Sequence, residues 1–330
     1  LSRQFQLCKQ ILNFLTWFYI CRKLTIFYSH LTSFIIKINM DTSFDILDIE
    51  HKVSVDAGRE LTSMKVSAKV KAVFYPKSER ELIFLYDYFT KNKLPFKVLG
   101  NGSNVLFSES AKDLIVISCK KLGQRLSRKD DVVTISASSN LSHIYRFCQK
   151  NELSGFEKLA SIPGTLGGAL KMNAGAFGQC ISDNLLTVRV YKEDRVCSLK
   201  KEALGFGYRT SNLKNCLVLS ARFKLKREDK CKIEQDYYSY SISRAQKQPK
   251  GLSLGSVFKN PHLVSAGFLI DKCGLKGLQC GGAKISEKHG NFIINFNNAK
   301  YNDIINLIEI IKKEVYDKFK IKLEEEIEII

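Results

Sequence analysis

The chain has 330 residues, 45% apolar and 26% charged with only five prolines, which excludes a collagen-like or wholly disordered polymer and implies two or three packed units. Its formal net charge of +19 could attract any acidic partner, but no helix-turn-helix, zinc-finger or RNP-like pattern accompanies it, so a phosphate-bearing small molecule is expected rather than nucleic acid. The ten cysteines show no CxxC pair and no histidine at metal-ligand spacing, so they read as small buried hydrophobes in a reducing cytoplasm, with neither disulfide nor metal.

Residues 1–39 contain no Asp, Glu or Met, the first methionine being Met40. They read as a non-native or disordered extension. The apolar run Ile11 to Cys21, flanked by Arg22 and Lys23, leaves a targeting segment as the alternative, although it is too short to span a bilayer.

From Ala72 the pattern becomes that of mixed helices and strands. Ala72 to Tyr75 reads as a strand, and Ser78 with Glu81 forms a capping box that opens an amphipathic helix reaching Lys91. Phe96 to Leu99 is an apolar run ending at a Gly-Asn-Gly turn. Further strands are expected at Leu114 to Ser118 and Val132 to Ala137, with a helix at Ser142 to Asn151. The stretch from Gly155 to Gly178 reads as loop-rich, followed by strands at Leu186 to Tyr191 and Leu217 to Leu225. The charged stretch Arg227 to Asp236 marks a domain boundary. Beyond it, Ile304, Ile308, Ile311, Val315 and Phe319 stand at helical spacing within Tyr301 to Phe319, and Leu323 to Ile330 reads as a terminal strand. The resulting divisions are 40–122, 123–228 and 229–330.

Two glycine-rich segments carry the chemistry. Gly100, Asn101, Gly102, Ser103 and Asn104 follow a strand; Pro163, Gly164, Thr165, Gly167 and Gly168 lead into Asn173, Ala174 and Gly175. Glycine allows backbone to approach a pyrophosphate closely, and two such loops suggest a dinucleotide held between subdomains. Neither loop fits GxGxxG or a P-loop, and either alone could be an ordinary tight turn.

Taken in order, five motifs resemble the UDP-N-acetylenolpyruvoylglucosamine reductase family. They are Val98 to Leu106, Ser161 to Ala169 with Met172 to Gly178, Phe206 to Ser211, Gly255 to Pro261, and Gly281 to Ala283 through Ser286 to His289. The likeness runs from about Phe44 to the C-terminus and matches the shorter form of the family, because the chain between Tyr208 and Gly255 leaves no room for an extra substrate-capping domain.

The resemblance implies an α+β fold: an FAD-binding fold of the vanillyl-alcohol-oxidase (PCMH) type made of two subdomains, plus a C-terminal α+β substrate domain. It also implies a monomeric cytoplasmic enzyme of peptidoglycan synthesis without membrane or nucleic-acid partners. NADPH reduces FAD, and a hydride then passes from flavin N5 to C3 of the enolpyruvyl ether on a UDP-sugar, while C2 takes a proton.

By the same resemblance Ser256 is the proton donor, Arg209 offers a bidentate fork to the substrate carboxylate, and Glu326 is the third catalytic group. Glu326 is placed by the pattern of Leu323, Glu326 and Ile327, with Glu324, Glu325 and Glu328 as neighbours; in a regular strand it would share a face with Glu324 and Glu328. Tyr208, Lys259 and Asn260 are expected at the substrate. Arg244 and Lys247 either meet its diphosphate or belong to a solvated basic helix, and His289 is structural. One segment departs from the family: Thr62 to Ala68 holds Ser67 and Ala68 where two glycines are usual. Rival readings are another flavin oxidase of the same fold and a basic nucleic-acid-binding module.

Overall fold

The computed structural model describes residues 46–330 except Leu263. The expectations placed on residues 1–39 therefore lie outside the described residues.

The first sheet contains β1 (His51–Asp56), β2 (Lys69–Phe74), β3 (Phe96–Leu99) and β4 (Ile115–Ser118), in the order β1-β2-β4-β3. β1 runs antiparallel to β2, whereas β2 and β3 both run parallel to β4. Parallel neighbours need a crossover, supplied between β2 and β3 by helix α1 (Glu79–Lys91). The expected cap is present: the Ser78 hydroxyl accepts the Glu81 N–H at 3.2 Å, and the Glu81 carboxylate accepts the Lys77 N–H at 2.9 Å. Leu82, Leu85 and Phe89 of α1 are buried against this sheet.

The second sheet is antiparallel throughout. It holds β5 (Leu126–Lys129), β6 (Val132–Ser136), β7 (Leu185–Lys192), β8 (Arg195–Lys200) and β9 (Leu217–Lys224), in the order β8-β7-β9-β6-β5. Its core packs under α2 (Leu141–Lys150) and α3 (Leu166–Lys171). Helix α3 lies within the stretch expected to be loop-rich, Gly155 to Gly178, and was not itself expected; Leu166, Ala169 and Leu170 give it a buried face despite its two glycines.

The charged stretch from Arg227 opens α4 (Lys230–Lys247), an 18-residue helix whose Ile233 is buried in the second core. Its N-cap Asp229 accepts the N–H groups of Cys231 and Lys232. A third core gathers around a short three-stranded sheet and α5 (Tyr301–Phe319). In α5, Ile304, Leu307, Ile308, Ile311 and Val315 are all at most 1% exposed, each such burial stabilising by about 1.5–3 kcal/mol. Among the described residues no helix is long and apolar enough to cross a membrane.

The tail differs from the expected strand. Only Glu328–Ile329 forms a strand, parallel to Val105–Leu106, and Glu325 makes an isolated antiparallel bridge with Phe258; between them the N–H groups of Glu326 and Ile327 both turn toward the Val257 carbonyl, at 2.7 and 3.4 Å. That bend breaks the alternation, so Glu326 does not share a face with Glu324 and Glu328.

The segment lacking the two usual glycines is held by its own side chains. Asp56 accepts the Ser67 hydroxyl at 2.6 Å and the Ala68 N–H at 3.0 Å. Partial burial pushes the Asp56 carboxyl up, but these bonds and the Arg59 N–H prevail and hold it below the ordinary carboxylate value. The close backbone approach falls on Gly58, where an added Cβ would lie 1.8 Å from the Val66 carbonyl oxygen. Gly58→Ala must move backbone rather than a side chain, so a loss toward the upper end of about 1–3 kcal/mol in urea unfolding is expected.

Candidate active site

The glycine loops meet across the space between the first two sheets. Loop Gly100–Asn104 leaves the end of β3 with Gly102 at φ +61°, where an added Cβ would lie 2.2 Å from the Leu61 carbonyl oxygen; only glycine fits. A Cβ on Gly100 would come within 2.4 Å of Thr165 Oγ1, and Ser103 Oγ is 3.7 Å from the corresponding point on Gly164. Asn101 donates to Asn140 at 2.8 Å, and Asn140 bridges to Thr165. The cleft beside them is walled by Gly100, Thr165, Gly167 and Gly168 with Cys119 and Lys171. Burial pushes the Cys119 thiol up to about 12, so no thiolate faces this space at neutral pH.

Three buried side-chain polar atoms lack a partner among the described residues: Ser118 Oγ, Ser161 Oγ and Asn173 Oδ1. An unsatisfied buried polar atom costs about 1–3 kcal/mol, and all three belong to the segments forming this region. Ser118 precedes the cleft-lining Cys119, Ser161 stands two residues before Pro163, and Asn173 leads into Ala174 and Gly175. A Cβ built on Gly164 or Gly168 would meet no atom closer than 3.7 Å, so the backbone at these two positions is open to close approach and the residues fit a dinucleotide.

Close to this cradle, Arg209 and Glu326 form a half-buried pair, Nε to Oε1 at 2.7 Å. Arg209 takes a left-handed backbone, φ 56°, uncommon for a side-chain-bearing residue. Its guanidinium also donates to the Gly175 carbonyl at 3.3 Å and stacks on the Tyr208 ring at 5.2 Å. Asn173 supports this turn through its amide, which donates to the Gly207 carbonyl at 2.8 Å. Burial pushes the Glu326 carboxyl above its ordinary value; the Arg209 charge and hydrogen bond, and more weakly Lys259, oppose that shift without cancelling it.

Ser256 is partly buried and belongs to the strand-like segment that accepts the bend of the tail: Val257 receives the Glu326 N–H, and Lys259 donates its N–H to the Glu324 carbonyl at 2.9 Å. The loop and the tail are further tied by the Asn104 side chain, which donates to the Glu326 carbonyl at 3.0 Å. Asn260 donates its N–H to the Tyr208 hydroxyl at 3.1 Å. Arg209, Glu326, the Ser256 segment, Tyr208, Lys259, Asn260 and Asn104 are thus linked by direct bonds.

Each tail glutamate has its own cation, which fixes the register: Glu324 pairs with Lys259, Glu325 with Lys312, Glu326 with Arg209 and Glu328 with Lys97.

Arg244 and Lys247 occupy the last turn of α4 and, among the described residues, are not bonded to Arg209, Ser256 or Glu326. Lys247 is exposed, whereas burial lowers the pKa of Arg244. His289 has a structural place, its Nδ1 accepting the Asn291 N–H at 3.2 Å. Sequence reasoning missed Asn291. This residue is 3% exposed, and its amide accepts the Phe258 N–H at 2.9 Å and donates to the Phe258 carbonyl at 2.8 Å, while its backbone carbonyl accepts the Val257 N–H. It therefore holds the strand next to Ser256. The only signal was its position just after the Ser286 to His289 motif.

Comparison with known proteins supplies the family. Residues 247–330 match the family model of the UDP-N-acetylenolpyruvoylglucosamine reductase C-terminal domain, and residues 70–194 match that of an FAD binding domain. The chain is 38% identical over 277 residues to UDP-N-acetylenolpyruvoylglucosamine reductase of Fusobacterium nucleatum, covering 82% of this chain and 96% of that one. It is 40% identical over 273 residues to the protein of the same name from Caldanaerobacter subterraneus, covering 82% and 90%. The crystal structure of UDP-N-acetylenolpyruvylglucosamine reductase from Thermus caldophilus superimposes with a TM-score of 0.70 at 32% identity, covering 85% of this chain and 98% of that one. The fold is the expected α+β FAD-binding fold of the vanillyl-alcohol-oxidase type with a C-terminal α+β domain. The chain belongs to the UDP-N-acetylenolpyruvoylglucosamine reductase family, oxidoreductases of peptidoglycan synthesis that use FAD and NADPH.

Proposed function

We propose that this chain catalyses the NADPH-dependent reduction of the enolpyruvyl ether of UDP-N-acetylglucosamine to UDP-N-acetylmuramate. The linked cluster of Arg209, the Ser256 segment and Glu326, tied to the glycine loop through Asn104, is the observation that carries this reading. When bound, FAD would supply the two-electron hydride chemistry that links NADPH to C3 of the substrate. The loops Gly100–Asn104 and Pro163–Gly168, with Asn173, Ala174 and Gly175, hold it.

The remaining chemistry belongs to side chains. Arg209 meets the substrate carboxylate, where negative charge develops as C3 is reduced, and its planar fork retains enough donors to keep the Glu326 bond. Ser256 donates its hydroxyl proton to C2, and the nearby guanidinium and ammonium groups stabilise the transient alkoxide. Glu326 orients Arg209. Its raised pKa also keeps a share of it protonated above the usual carboxylate range, so that it can donate a hydrogen bond as the substrate carboxylate gains charge. Tyr208, Lys259 and Asn260 hold the sugar and its substituents, and Arg244 with Lys247 meets the diphosphate. The enzyme works as a cytoplasmic monomer, divided at 122/123 and 228/229, with a UDP-sugar as its only partner class.

Mass spectrometry after incubation with NADPH and the enolpyruvyl substrate tests the reaction: the substrate should gain two hydrogens. An unchanged substrate together with oxygen consumption would instead indicate a flavin oxidase. Glu326 gives a separate pH prediction. Because its folded pKa lies above 4.5, the folded state retains the proton longer than the unfolded chain, so this group's contribution to stability declines as pH rises from 4.5 through the raised value. Glu326→Gln should remove that decline from the pH profile of urea unfolding.

A further inference from the structure

Lys171 is the last residue of α3, three and four positions after Gly168 and Gly167, so all three share one face of the helix. Helical side chains tilt toward the N-terminus, which carries the Lys171 side chain back over two residues that have no side chains of their own. That face lines the cleft between the two glycine loops. The backbone at this point is fixed, since the Ser211 hydroxyl donates to the Lys171 carbonyl at 2.9 Å.

The ammonium has neither a hydrogen bond nor an ion pair among the described residues. The carboxylate that acts on its charge, Glu328, is already bonded to Lys97. Burial, and then the Lys97 charge, lower the Lys171 pKa, as expected for a cation poorly supplied with water or partners. The other basic residues on the cleft wall differ: Lys77 and Arg125 are exposed, and Lys77 pairs with Glu50. A sequestered, unpaired ammonium lowers the stability of the fold unless an anion joins it. Gly167 is packed on Ala137, but Gly168 has only Thr165 Oγ1 near it, at 3.8 Å, so phosphate oxygens could approach closely there.

We propose that Lys171 is a further cofactor-binding residue, its ammonium meeting the diphosphate of FAD where that group lies against Gly168. The assignment rests on the FAD reading. It implies that the charge is unfavourable in the cofactor-free fold and favourable in the loaded one, opposite signs that a merely structural lysine would not show.

The test is equilibrium dialysis of the purified full chain against FAD at low and high KCl, with thermal unfolding followed with and without added FAD. Lys171→Met, which keeps most of the side-chain volume, should weaken FAD binding about 10- to 100-fold at low salt, the range of a charge-assisted hydrogen bond. The salt dependence of binding should also become shallower, while the melting temperature without added FAD should rise. Lys171→Arg should retain most of the affinity. Equal FAD affinity and salt dependence in wild type and Lys171→Met would overturn the assignment, as would equal losses in the Met and Arg variants. Wild-type protein that bound no FAD would overturn the cofactor reading itself.

Discussion

Replacing Ser256 by Ala is expected to leave the NADPH half-reaction intact and to slow flavin reoxidation by the enolpyruvyl substrate roughly 10²- to 10⁴-fold, the usual range for loss of a general acid. The substitution removes one hydroxyl and no framework. The segment after Ser256 is held through the main chain, with the Val257 N–H given to Asn291, the Val257 carbonyl taken by Glu326 and the Phe258 N–H given to the Asn291 side chain. None of these bonds uses the serine side chain. Anaerobic stopped-flow measurement of each half-reaction separates the two steps. Equal slowing of both would place Ser256 in the framework rather than in proton transfer.

Arg209→Lys is the second substitution with a large expected effect. Lysine keeps the charge but offers one ammonium where the guanidinium reaches Glu326 through Nε and Gly175 through a terminal nitrogen, and where the proposed reaction also asks it to meet the substrate carboxylate. Loss of an aligned donor at a site of developing charge lowers rates by about 10²- to 10³-fold. Reoxidation by substrate should fall by that amount with flavin reduction little changed. A second consequence follows at Glu326: without the paired fork, burial acts on the carboxyl less opposed, so its pKa should rise further. An Arg209→Lys protein that reoxidised at the wild-type rate would remove Arg209 from the chemistry.

Legibility in the sequence followed apolar content, which position in the sheets shapes only in part: the edge strand β3 was read from its apolar run Phe96 to Leu99. The interior strands β2, β4, β6, β7 and β9 carry runs such as Ile115-Val116-Ile117 and were expected within a few residues of their observed ends. The unread strands β1, β5 and β8 all lie on sheet edges, where one side has no neighbour and charged residues are tolerated. In β8, Arg195 to Lys200 has no fully buried residue, so no apolar period marks it. Helix α5 was legible end to end because its buried residues recur at helical spacing. Helix α3 was hidden because glycines at 167 and 168 weaken helix propensity, and tertiary burial of Leu166 and Leu170 overrides that.

The site divides in the same manner. Arg209, Ser256 and Glu326 could be named because they sit in motifs, but their linkage spans more than a hundred residues and depends on main-chain bonds that no local pattern encodes. The tail shows this most clearly. Strand alternation would have grouped Glu324, Glu326 and Glu328, whereas the bend at Val257 and four separate cations give each glutamate a different direction. Asn291 and Lys171 went unread because their importance comes from burial and from the residues opposite them.

The most direct measurement is the visible absorbance of the purified protein through one anaerobic cycle. A flavin band should be present, NADPH should bleach it, and the enolpyruvyl UDP-sugar should restore it without oxygen. Colour that returned only on admitting oxygen, with the UDP-sugar inert, would contradict the account.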